Sequence, residues 1–477
     1  MRAVVWRHDS SLLIAALLMA APLLGYLVVE SPLVGVTVVI AAALLVGATY
    51  LTNEAAMRTA AFAVCAAVIM YPAFLPRRSG ISVAFGGDFG PRAQVQLVVI
   101  LGLVLAAVWL WLSTPGTVAA LRRAPLNYFA VYGGIVLVSL LYTPDKTWAA
   151  YAALKLFQAF LVVGVLAVLV RSTEHLKQLI NVMLAATAVV MLVYLFDVVS
   201  GNAVPDNVAR PTTRWIHANG ASIITFTFAV IMAARFFTAP SRRAARTAGL
   251  LMCFGALVGF IAGGKTALAG AVVAVFLILV VTMIKQPSRF KFGRLMLIGL
   301  GLVAVLAIVA SLNVGIAAHL RIYTEDEYRN AADLTGRVPV WQAAIQGGLE
   351  RPIWGHGYMS TFAIGLEGRF WTAGQAHNTF VQTFFDLGLV GLVAMLAIYA
   401  GAWWSVLRQS LRRGPPDDRW RLSVQLLGGL AILSVDSLAE TPFGGIFEIV
   451  TMLFIVIVFA IHQNARVNGA DRVVHQP

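Results

Sequence analysis

From Leu12 onward the chain returns repeatedly to runs of about twenty apolar residues, each closed by a short polar or charged turn. That length matches the hydrocarbon core of a bilayer. A segment in lipid must also satisfy its own backbone hydrogen bonds, which favours helices. Spans are read at 11–29, 32–51, 59–76, 95–113, 127–142, 149–170, 178–199, 219–238, 247–263, 266–284, 295–312, 378–407, 423–438 and 446–463. The pairs at 11–51 and 247–284 have very short connections, so the count lies between twelve and fourteen. Composition agrees, with 60% hydrophobic and 12% charged residues, about half the charge of a soluble domain. The expected fold is an all-α polytopic membrane protein.

A net charge of +14 would suit a nucleic-acid partner. The basic residues argue against it, because they sit in short clusters between the apolar runs. Arg122/Arg123, Arg171/Lys177, Arg242/Arg243/Arg246, Lys285/Arg289/Lys291/Arg294 and Arg408/Arg412/Arg413/Arg419/Arg421 fall on one side of an alternating threading. The positive-inside rule makes that side cytoplasmic, with both termini there. Arg77, Arg78 and Arg92 fall on the outer side as exceptions. Cys65 and Cys253 lie inside apolar runs, so neither a disulfide nor a zinc site is expected.

One connection stands apart. Residues 313–376 form a long outer loop between 1–312, the N-terminal spans, and 377–477, the C-terminal spans with their tail. Within it "RVPVWQAAIQGGLERP" reads as a short helix opened by Arg337 and Pro339. Val340, Trp341, Ile345 and Leu349 would share its apolar face, and Gly347/Gly348 with Pro352 would close it. A long loop with its own structure usually carries function.

The unusual polar residues collect on the same outer side. Arg210, Arg214, His217 and Asn219 precede one span, and Lys265 separates two others. His356 lies in a glycine-flanked turn. His377 and Asn378 open a span that continues with Gln382 and Asp386 at helical spacing, and Asp436 and Glu440 end another. Singly, each has a plain reading: a cation that snorkels to headgroups, a helix cap, or a polar stripe that holds helices together. Together, several cations near helix starts suit a bulky anion such as a diphosphate, with a histidine beside it as proton acceptor. No GxxxxGK[ST] loop and no DxD pair is present, so nothing points to a nucleotide.

"GRVPVWQAAIQGGLERPIWGHGY" followed by "AHNTFVQTFFDLGLVGL" resembles the signature of the O-antigen ligase and O-antigen polymerase superfamily. The matching positions are Arg337, Trp341, Glu350/Pro352, Gly355/Gly357, His377/Asn378, Gln382 and Gly388/Gly391. Lys265 stands where members usually carry arginine, which keeps the charge without the bidentate fork. The resemblance implies an inner-membrane enzyme with its site facing the periplasm. Its donor would be a glycan on undecaprenyl diphosphate, and a ligase would move that glycan en bloc to a sugar hydroxyl of lipid A-core. No cofactor, metal or ATP would be used, and the anomeric centre would invert. On that basis His377 would be the general base. Arg337, Lys265 and Arg214 or Arg210 would hold the diphosphate, and Asn378, Gln382, Asp386 and Trp341 would orient the site.

Two relatives of the same superfamily share these motifs: the polymerase, which joins repeat units still on lipid, and oligosaccharyltransferases that modify serine or threonine in proteins. A transporter or flippase for a lipid-linked anion is a reading from another class. It would show paired broken helices and mid-membrane charge, for which Lys155, Asp197 and Asp436 are the candidates.

Overall fold

A computed structural model describes residues 54–70, 116–205, 211–213, 216–287, 337–367, 372–441, 443 and 449–474, with isolated positions between 102 and 114. The spans expected at 11–29, 32–51 and 295–312, most of 95–113, and Arg210 and Arg214, lie outside these residues.

The described chain is helical. Apart from a single helical turn at Thr117–Ala120, the helices in order are α1 (Glu54–Met70), α2 (Leu126–Ser139), α3 (Lys146–Leu169), α4 (Thr173–Val199), α5 (Ala218–Thr238), α6 (Arg242–Ala262) and α7 (Lys265–Lys285). They continue with α8 (Arg337–Glu350), α9 (Ser360–Ile364), α10 (Thr379–Ser410), α11 (Asp418–Asp436) and α12 (Ile449–Val474). Two small antiparallel hairpins interrupt them, β1 (Val204–Pro205) with β2 (Pro211–Thr212) and β3 (Leu366–Glu367) with β4 (Thr372–Ala373).

Seven of the described helices, α3 to α7, α10 and the Ile449–Val467 part of α12, are long and apolar enough to cross a bilayer. Their ends follow local chemistry. Asp145, Ser172, Ser241 and Asp417 each accept a hydrogen bond from the backbone N–H three residues on, which caps α3, α4, α6 and α11. α6 stops at Gly263, which takes the left-handed conformation (φ 72°) that ends a helix without steric cost.

α5 is buried along nearly its whole length and packs against α4, α6, α7, α11 and α12. α6 is the opposite case. Leu250, Leu257 and Phe260 are exposed along it, as expected of a lipid-facing helix. α11 is too rich in charge at its start to count as a span on composition, yet it is largely buried and packs against both α5 and α7.

The loop helix α8 forms where the sequence places it, but its inner face differs. Val340, Ala344 and Gly348 are buried, whereas Ile345 and Leu349 are exposed. The two glycines explain the rotation. They do not close the helix, which continues to Glu350. Instead they admit two rings of α10: a Cβ on Gly347 would lie 2.6 Å from Phe385, and one on Gly348 would lie 2.6 Å from Phe384.

α10 also departs from a regular helix. Gly388 has φ 64° and ψ −163°, so the helix breaks there. The freed backbone groups are not stranded. Leu389 N–H donates to Pro352 O at 2.8 Å and Val390 N–H to Ile353 O at 3.2 Å. Phe385 O accepts from His356 N–H at 3.0 Å, and Asp386 O from Gly357 N–H at 2.7 Å. Residues 352–357 thus act as the missing turn of α10. Close approach requires glycine on both sides, since a Cβ on Gly355 would sit 2.5 Å from the Asp386 carbonyl carbon.

Candidate functional site at the mouth of α10

His377 lies two residues before α10. Asn378 is the N-cap, and its Oδ1 accepts from both Phe380 N–H (3.0 Å) and Val381 N–H (3.1 Å). The residue before it must therefore turn sharply, and His377 does so with φ 49°. A non-glycine residue in this region costs roughly 1–3 kcal/mol and persists only where its neighbours enforce it. Ala376 supplies the enforcement. Its N–H donates to Gln382 Oε1 at 2.7 Å, and its carbonyl accepts from Trp341 Nε1–H at 2.9 Å. Trp341 and Gln382 hold the peptide that carries the histidine.

The partner of His377 is Glu440, in the turn that follows α11. His377 Nδ1 and Glu440 Oε2 are 2.9 Å apart. Arg337 at the start of α8 brings its Nη2 to 2.5 Å from Glu440 Oε1 and gives Nη1 to the Ala439 carbonyl. Asn219, in the first turn of α5, donates Nδ2–H to the same Oε1 at 2.7 Å. One carboxylate thus gathers residues from three other elements. Its side chain is only 14% exposed. Burial alone would raise its pKa, but His377 and Arg337 together, with His217 beyond, outweigh that and hold it at about 2. Ionised Glu440 needs a donor from the ring, which assigns the proton of His377 to Nδ1.

The strand of chain around His377 is laced to the turn around Glu440. Thr379 N–H donates to Ser437 O at 2.9 Å, Asn378 Nδ2–H to Leu438 O at 2.9 Å, and Thr441 Oγ1–H to Gln375 Oε1 at 2.6 Å. His217 caps α5 by accepting from Asn219 N–H at 3.2 Å. Lys265, the first residue of α7, is exposed at this same end. Its neighbour Gly264 is pressed against Ser222, one turn along α5 from Asn219. The starts of α5, α7, α8 and α10 therefore converge here, and each contributes the positive end of a helix dipole.

Not every polar residue in α10 faces this cluster. Asp386 is buried and turned toward the loop, where it accepts from Met359 N–H (3.2 Å), Ser360 Oγ–H (2.8 Å) and Thr361 N–H (3.2 Å). Gln382 donates Nε2–H to Asp386 Oδ2 at 2.7 Å and to the Thr361 hydroxyl. Gln382 and Asp386 clamp residues 359–361, and Gln382 links that clamp to His377 through Ala376. His356 is the turn residue expected, stacked on Phe385 with centroids 4.7 Å apart. Glu440 was not among the site residues expected from sequence. Its signal was an acid at the end of an apolar run, and that run gave no hint of where its partners lie.

These features define a multi-pass helical membrane protein with a charged, histidine-bearing site at one end of its bundle. Residues 248–396 match the family model described as O-antigen ligase, the same superfamily that the motifs at Arg337 and His377 resemble. The chain is also 29% identical over 152 residues to the exopolysaccharide production protein ExoQ of Rhizobium meliloti (strain 1021). That match covers 28% of this chain and 34% of the relative's length.

Proposed function

We propose that the chain is a glycosyltransferase of the ligase type, moving a glycan en bloc from undecaprenyl diphosphate to a sugar hydroxyl of lipid A-core. The observation that carries this reading is the His377–Glu440–Arg337 grouping at the mouth of α10. With Nδ1 committed to Glu440, Nε2 is the ring nitrogen that takes the proton of the acceptor hydroxyl as its oxygen attacks the anomeric carbon. The bond from that carbon to the diphosphate oxygen breaks in the same displacement, and undecaprenyl diphosphate leaves with its electron pair. Glu440 holds the ring and stabilises the imidazolium, as the buried carboxylate does in hydrolase triads.

Leaving-group charge falls to the cations. Arg337 is partly spent on Glu440 and Ala439, so its role is shared between holding the carboxylate and meeting the diphosphate. Lys265 offers an exposed ammonium at a helix start, and Arg214 or Arg210 complete the set by the family resemblance. Each preorganised donor of this kind contributes about 3 kcal/mol of transition-state stabilisation. By the positive-inside threading the site lies on the outer, periplasmic side and both termini are cytoplasmic.

The test is transfer by purified protein in nanodiscs, supplied with undecaprenyl-diphosphate glycan and lipid A-core, with EDTA and no nucleotide. The joined product is expected from the wild type and not from His377→Ala or Arg337→Ala. The likeness to an exopolysaccharide production protein favours a second reading, a polymerase whose acceptor is another lipid-linked glycan. In that case the same assay gives longer glycans still on undecaprenyl diphosphate.

A further inference from the structure

α5 and α11 run antiparallel to each other, so the end of α5 and the start of α11 meet at the opposite end of the bundle from His377 and Glu440. α5 has 21 residues, a length of about 30 Å, the thickness of the hydrocarbon core. At this far end lies a cavity of about 590 Å³ between α4, α5, α6 and α11. Four cations line it, Lys177, Arg235, Arg243 and Arg421, against a single carboxylate, Asp418.

The one acid is already engaged. Asp418 Oδ2 meets Lys177 Nζ and its Oδ1 meets Arg421 Nη1, both at 2.6 Å. Lys177 also reaches Glu174 at 3.4 Å, outside the cavity lining. Arg421 Nε is buried and has no hydrogen-bond partner. Arg235, in the last turn of α5, donates Nε–H to Gln425 Oε1 at 2.9 Å and Nη2–H to Asn181 Oδ1 at 2.7 Å. Both acceptors are neutral amides, so its charge has no carboxylate partner among the described residues. Arg243 is exposed in the first turn of α6, where the helix dipole adds further positive potential. Two arginines thus stand uncompensated around a preformed cavity.

The surroundings say what kind of anion fits. Leu251 lines the cavity and is 39% exposed, and Leu250 beside it is 74% exposed. The cationic cavity therefore opens directly onto the lipid-facing side of α6. A ligand there meets arginine at its head and hydrocarbon at its flank. We propose that this cavity binds the phosphate headgroup of an anionic glycerophospholipid, in the leaflet opposite the one that holds the candidate active site. Arg235 and Arg243 contact the phosphate, and Leu250 and Leu251 pack against the acyl chains. This site stands independently of the transfer reaction.

The test uses the full chain, delipidated in detergent and titrated with phosphatidylglycerol, phosphatidylcholine or inorganic phosphate while thermal unfolding is followed. Phosphatidylglycerol is expected to raise the midpoint and phosphatidylcholine to leave it unchanged. Arg243→Gln and Arg235→Gln should each weaken the phosphatidylglycerol response about five-fold. Arg246→Gln, on the same helix but outside the cavity, should not. Arg243 is exposed, so its variant reads the site even if replacing half-buried Arg235 impairs folding. Equal responses to the two lipids, or a full response in Arg243→Gln, would overturn the proposal. Inorganic phosphate alone reproducing the shift would replace the lipid site with a soluble-anion site.

Discussion

Glu440 and His377 are 63 residues apart in sequence, one after a helix and one before another, and their side chains meet at 2.9 Å. The carboxylate also engages Arg337 and Asn219, so a single group ties the starts of α5, α8 and α10 to the end of α11. On the proposed reaction, His377→Ala removes the base and should lower turnover by about 10²–10⁴-fold. Glu440→Gln keeps the shape but not the charge. It should lower kcat by on the order of 10²-fold, at the lower end of that range, with little change in KM. Steady-state kinetics on both variants decides this, and unchanged kcat in Glu440→Gln would remove Glu440 from the mechanism.

Glu440 also sets a pH dependence of stability. Its pKa falls from an ordinary 4.5 to about 2 in the folded protein. The unfolded chain therefore takes up the proton first as pH drops. The stabilisation is fully present above about pH 5 and is lost progressively as pH falls from 4.5 toward 2. Melting temperatures of wild type and Glu440→Gln should differ most above pH 5 and converge near pH 2. Parallel curves would show that the carboxylate contributes no such linkage.

Gly388 combines a positive φ with a contact that excludes a side chain, since a Cβ there would lie 2.3 Å from Ile353 O. Gly388→Ala should destabilise the protein by more than the roughly 1–3 kcal/mol of backbone strain alone. Gly134, where a Cβ would meet nothing within 4 Å, serves as the control. The measurement is the thermal midpoint of each variant in one detergent.

Asp386 satisfies two backbone N–H groups and a hydroxyl in residues 359–361. Asp386→Ala strands them, at about 1–3 kcal/mol for each buried donor left without a partner. Asp386→Asn keeps one acceptor oxygen and should lose less. Hydrogen exchange at Met359 and Thr361 would read the clamp directly, and unchanged protection in Asp386→Ala would mean the loop is held elsewhere.

The sequence made the helices legible because lipid leaves the backbone few options. Spans expected at 149–170, 219–238 and 266–284 are helices at Lys146–Leu169, Ala218–Thr238 and Lys265–Lys285. The capping role of Asn378 was legible for a similar reason, since it depends only on the next three residues. What could not be read depends on partners distant in sequence. The inner face of α8 turns on Phe384 and Phe385 filling the space above two glycines. The break at Gly388 is tolerable only because residues 352–357 complete its hydrogen bonds. Glu440 gained its place from three elements that no local pattern connects to it.

The completion of α10 by residues 352–357 bears on how relatives of this chain can be recombined. A loop borrowed from another member to change the acceptor would carry its own version of the missing turn. It would have to match the break around Gly388 atom for atom, or leave open carbonyls and amides at the membrane. A workable graft boundary therefore lies beyond Val390, and the unit of exchange is the loop together with the first turns of the helix it completes.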